Sequence, residues 1–113
     1  MSNADTRQAI ADALSDVAGV KGYPRRPRSP KAGDGWPLWR GSERADGAAF
    51  METFAVIIAL PADEQNADTF ADAHAEALEE ALRPVLWVES LAPAVTATDS
   101  GDMNALMITG RTE

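Results

Sequence analysis

Residues 50–60, FMETFAVIIAL, decide the fold. The second half of this run, AVIIAL, is apolar on both faces of an extended chain, which suits a central strand covered on at least one side. Its first half mixes Glu52 and Thr53 among apolar residues, and Pro61 ends it. The neighbouring segments must therefore supply a sheet on either side and a layer above it.

Downstream, Phe70, Ala73, His74, Ala77, Leu78, Ala81 and Leu82 recur at helical spacing and form one apolar stripe over about 67–83. Asn66 or Asp63 can cap this helix, acids crowd its first turn as the helix dipole favours, and Pro84 stops it. Two further strands follow, over about 86–98 and 104–111. The DSGD between them (99–102) has turn chemistry, so they pair as an antiparallel hairpin. Upstream, Ile10, Leu14 and Val17 mark a short helix over about 6–18, with Asp5 as its cap and Gly19 as its stop. The order is then α-β-β-α-β-β. That is an α+β domain with a mixed, mostly antiparallel sheet of about four strands and both helices packed on one face.

At 113 residues the chain is one domain, which buries roughly 65% of the surface that its unfolded form exposes. Its 45% hydrophobic and 25% charged residues are those of an ordinary globular protein. It holds no cysteine, so thiol nucleophiles, thiolate metal sites and disulfides are excluded. No apolar run reaches the roughly 20 residues that span a bilayer, and MSNADTRQ lacks a signal-peptide pattern. The expectation is a protein that stays where it is made or is built into something there.

The charge is uneven. Between Lys21 and Arg44 stand seven basic residues and two acids, a net of +5, which leaves −13 elsewhere in a chain of net −8. Most of the molecule therefore repels duplex DNA. The positive charge gathers in YPRRPRSPKAGDGWPLWRG (23–41). Pro24, Pro27 and Pro30 repeat every three residues, one turn of polyproline II, with Arg25, Arg28 and Lys31 along the next face. The expectation is a stiff, extended basic loop over about 23–36. KAGDG turns the chain, and WPLWR forms a short edge strand, since Pro37 fits only an edge or a strand start.

Catalysis finds little support. The single histidine, His74, lies on the apolar stripe and reads as a packed structural residue. No serine or threonine stands in a nucleophile motif, and Gly33 and Gly35 lack the lysine of a phosphate loop. Asp99 and Asp102 lack the further oxygen ligands of a calcium loop. Neither an enzymatic activity nor a cofactor nor a metal is expected.

The remaining candidates are interaction surfaces. Asp68, Asp72, Glu76 and Glu80 repeat at i, i+4, where like charges repel unless a cation faces them. This acidic face is a solvated surface, a partner for a neighbour's basic segment, or the lining of a passage. The basic stretch reads as a rigid docking loop, ahead of a nucleic-acid arm or a PxxP ligand. Arg25, Arg26, Arg28 and Lys31 carry it. Trp36, Trp39 and Arg40 flank it as anchors of the kind protein interfaces favour, with Trp39 fitting a core equally well.

Four stretches together resemble the tail terminator proteins of long-tailed phages that infect actinobacteria. They are YPRRPRSPKAGDGWPLWRG, AFMETFAVIIALP, ADTFADAHAEALEEALRPVLWVES and MNALMITGRTE, and the likeness runs from the first helix to the C-terminus. The family has no catalytic signature, so the likeness rests on element order and local wording. It implies a single domain with a mixed sheet and two helices. It also implies a virion structural protein at the neck end of the tail, assembled in the host cytoplasm. Such a protein caps the tail tube as a ring, usually of six copies, stops polymerisation and presents the head-attachment surface. The implied partners are other copies of the chain, the tail tube protein and a head-completion or neck protein. DNA passes through without specific binding, and no membrane is involved. A different neck protein (head-closure or adaptor) and a small peptide- or nucleic-acid-binding module are the alternatives.

Overall fold

A computed structural model describes residues 2–44, 50–98 and 101–112. The first helix, α1 (Asn3–Ser15), leads into a two-residue strand, β1 (Lys21–Gly22). Next come β2 (Asp34–Arg44), β3 (Phe50–Ala59), the long helix α2 (Glu64–Leu82) and the hairpin β4 (Trp87–Thr98) and β5 (Gly101–Arg111). The strands form one sheet in the order β1-β2-β3-β5-β4. Every pairing is antiparallel except β1 with β2. The α+β class and the mixed sheet agree with expectation, but the sheet has five strands and not four. β1 is too short to show a period. Its place is set by tertiary bonds, Lys21 N–H to Gly33 O and Tyr23 N–H to Gly35 O.

β3 lies between β2 and β5, and Phe54 through Leu60 are all buried. Phe54, Val56 and Ile58 face the helices and pack with Ile10, Leu14, Leu78 and Leu82. Ile57 and Ala59 face the other way, with Trp36 and Ala105. Both faces are thus covered, one by helices and the other without any helix.

The helix boundaries differ from expectation because of their caps. α1 begins three residues early: Ser2 is the N-cap, and Asp5 closes a reciprocal capping box three positions on. It also ends early, at Ser15, whose hydroxyl accepts from Gly22 N–H at 3.0 Å. In α2 the cap is Asp63, which accepts from Asn66 N–H at 3.0 Å. The stripe of α2 is rotated from the expected one: Ala73 and Ala77 are exposed, whereas Ala67 is buried beside Leu78 and Leu82. Starting the helix at Glu64 adds a turn that brings Ala67 into the core.

β2 runs for 11 residues, not the short strand expected. β1 covers only Asp34 and Gly35, so the outer edge is open beyond them, and Pro37 stands there. Arg7 Nη1 donates to its carbonyl at 3.2 Å. β5 starts at Gly101, and the DSGD turn lies partly outside the described residues, at Asp99 and Ser100.

Candidate functional site

The basic stretch is not a straight polyproline rod. The backbone bends at 24–25 and again at 28–29, and its two ends meet. Gly33 closes the neck: its φ is +94°, its N–H donates to Ala59 O at 2.8 Å, and its carbonyl accepts from Lys21. A Cβ there would stand 2.6 Å from Gly19 O. Inside the neck, the buried Asp34 carboxylate accepts from Lys31 N–H at 3.0 Å. The result is a closed loop of about 10 residues, the geometry of an Ω-loop. The physical reason is topological, since β1 and β2 are parallel neighbours and the chain must return to its start.

The loop covers the sheet face opposite the helices. Tyr23 packs on the Trp36 cluster with Met103 and Met107. Arg26 reaches from there to the other edge strand, where its guanidinium donates to Ala97 O. Arg25, Arg28 and Lys31 are exposed, and their side chains make no hydrogen bond or ion pair among the described residues. Arg25 lies near enough to Arg7 to help lower that guanidinium's pKa, after burial, the larger cause. Arg40, farther along β2, is likewise exposed and unpaired. Of the flanking tryptophans, it is the expected anchor Trp36 that the fold takes inside. Trp36 is completely buried and anchors the second face, so it is not available to a partner. Trp39 is 48% exposed, and its Nε1–H donates to Glu52 Oε2 at 2.8 Å.

Asp68, Asp72, Glu76 and Glu80 are all exposed on α2. The sheet stands between this stripe and the loop, and no ion pair joins them among the described residues. His74 sits in the seam between the helices. It stacks on Phe70 at 3.9 Å, with Nδ1 2.8 Å from Phe70 O and Nε2 3.1 Å from Ala18 O. Each ring nitrogen faces a backbone carbonyl, and the one that carries the proton donates to it.

A surface absent from the sequence reading lies on the helical face, at the opposite end of the strands from the loop. It is a groove of about 830 Å³ between the start of α1, the end of α2 and the starts of β3 and β4. Phe50, Glu52, Glu79, Arg83 and Trp87 line it. Phe50 is 54% exposed and Trp87 65%. Ser42 and then Trp39 donate to the Glu52 carboxylate and hold its pKa below the usual carboxylate range. Glu79 pairs with Arg83 at 3.0 Å. The one advance signal was Glu52, a carboxylate on the strand face where burial required an apolar residue.

These features define a small α+β domain with a basic loop on one sheet face and, on the other, an acidic helix surface and a groove. No protein-family model and no curated protein matches the sequence. Among the described residues, no helix is long and apolar enough to cross a membrane.

Proposed function

We propose that this chain is a phage tail terminator: a structural, non-enzymatic protein that caps the tail tube as a ring, ends its growth and offers the head its attachment surface. One observation carries the reading beyond the sequence likeness. A basic loop with three unpaired cationic side chains stands on one sheet face, and an acidic helix on the other. Two unlike, complementary patches on opposite sides of one chain favour a heterologous contact, and such a contact closes into a ring when its rotation allows. Arg25, Arg26, Arg28 and Lys31 face either the next copy or the tube below. Asp68, Asp72, Glu76 and Glu80 face a neighbour or the lumen, where an acidic lining lets DNA slide.

Deleting the gene from a phage that carries it tests the role. Electron microscopy of the lysate should show overlong tails without heads. Filled heads beside tails of normal length would move the protein to another neck role, and normal virions would overturn the reading.

A further inference from the structure

We infer that the cleft between α2 and the edge strand β4 receives the basic loop of a second copy of this chain. The occupant rests on the ring reading above, and the surface that it meets is read from the fold.

Two helices do not cover five strands. By register Leu91, Pro93 and Val95 share a face with Ile108, Leu106 and Asn104, which is the face of the helices. Ile108 and Leu106 are buried, yet Leu91 is 38% exposed and Val95 63%. α2 therefore stops short of β4 and leaves an apolar shelf along it. A cleft of about 270 Å³ opens between shelf and helix, with Glu64, Ala67, Asp68, Pro93 and Asn104 in its walls. The edge itself resists an added strand, since Pro93 has no N–H to offer and Arg26 occupies Ala97 O. A guest here docks through its side chains.

The acidic stripe of α2 meets this shelf at one end only. Each step of four residues turns about 40° round a helix axis. Asp68 faces β4 in the cleft, Asp72 follows on the same flank, and Glu76 and Glu80 turn progressively outward. The shelf is thus walled by Glu64, Asp68 and Asp72. Between Phe50 and Gly110 the only lysine or arginine in the sequence is Arg83, which pairs with Glu79 at the far end of α2. Arg26 comes to the edge from the other face and is bonded to a carbonyl there. The positive end of α2 lies here too, but its cap, Asp63, is a carboxylate. Three carboxylates against one guanidinium, beside exposed apolar side chains, suit a guest that is both cationic and apolar.

The basic loop has that chemistry. It offers exposed Pro24 with Arg25, Arg28 and Lys31, whose side chains are unpaired among the described residues. Arg25 lies near Arg7, which bonds Pro37 O on the outer edge of β2. β4 is the opposite edge of the same sheet. The two edges therefore carry opposite charge, and a chain cannot bring its own basic edge to its own β4 shelf. The contact is head-to-tail, one basic edge to one acidic edge, and it closes into a ring when its rotation allows.

Sedimentation velocity on the full chain, from micromolar to millimolar in low salt, tests this. Wild type should associate with rising concentration, and less so in high salt. Asp68→Lys with Asp72→Lys, and separately Arg25→Glu with Arg28→Glu, should each lower the association constant by roughly thirtyfold. All four residues are exposed, and circular dichroism checks that the variants fold. The decisive sample is an equimolar mixture of the two variants. Each basic loop then meets an acidic cleft and each acidic loop a basic one, so association should return to within about tenfold of wild type. Val95→Lys, which places a cation on the shelf, should weaken association by roughly tenfold. Glu76→Gln with Glu80→Gln should change it by less than about threefold, because those carboxylates point away. A wild type that stays monomeric to millimolar, a cleft variant that associates like wild type, or a mixture that does not recover would each overturn the proposal. The ring reading fails separately. Recovery in the mixture with normal tails in the deletion phage would keep the contact and remove the terminator role, and overlong tails with no recovery would do the reverse.

Discussion

The two faces of the sheet are covered by different means. On one, α1 and α2 bury Ile10, Leu14, Leu78 and Leu82 against Phe54, Val56 and Ile58. On the other, Trp36 and Ile57 pack with Tyr23, Met103 and Met107, next to a loop that carries its charges outward. A helix covers a sheet with a repeating stripe, so many side chains share the work. A loop has no repeat, and coverage falls to a few large residues. The second face therefore depends on Trp36 to a degree that no single residue matches on the first.

That contrast is open to direct test. Trp36→Ala should cost about 3–5 kcal/mol, and Leu78→Ala about 2–5. Both side chains are fully buried. Urea denaturation of the two variants measures the difference. If the tryptophan is the keystone of its face, its loss should also lower the m-value or broaden the transition, whereas Leu78→Ala should shift the midpoint alone. A loss at Trp36 well below that at Leu78 would mean that the second face is only loosely packed.

The neck of the loop comes next in size. Gly33→Ala places a side chain at φ +94° and 2.6 Å from Gly19 O, where no flexible group can give way. A loss of about 1–3 kcal/mol is expected, by thermal melting. Stability equal to wild type would show that the neck opens easily and that the loop is not held in one shape.

The same contrast explains what the sequence made legible. The central strand, α2 and the final hairpin were readable because AVIIAL, Leu78 with Leu82, and the DSGD turn each carry a local signal. The α+β class followed from their order. β1 was not readable, since two residues have no period and its bonds run to Gly33 and Gly35. The proline spacing predicts a rod, but spacing describes local stiffness and not where the ends must go. Trp36 and Trp39 differ for a related reason: three residues apart in β2, on either side of Pro37 and Leu38, they fall on opposite sheet faces. Only the three-dimensional cover distinguishes which is buried. The charges of the loop and of the α2 stripe are visible as clusters in the sequence. The groove is not, because it joins the ends of four elements far apart in sequence.

The smallest expected effect concerns Arg26, which ties the loop to Ala97 O on the far edge strand. Hydrogen bonds to a charged donor contribute about 1.5–3 kcal/mol when buried, but Arg26 is exposed, so Arg26→Ala should cost well under about 1 kcal/mol. Its consequence lies in order and not in stability. Without the tie the loop is held only at its neck and by Tyr23, and amide exchange at 28–32 should quicken while the melting temperature barely moves. Binding to any partner would then carry the extra cost of ordering the loop. If exchange at 28–32 stays as slow as in wild type, Arg26 does not hold the loop. The difference between the two faces would then rest on Trp36 and the neck alone, and Arg26 would be as free as Arg25 and Arg28 to meet a partner.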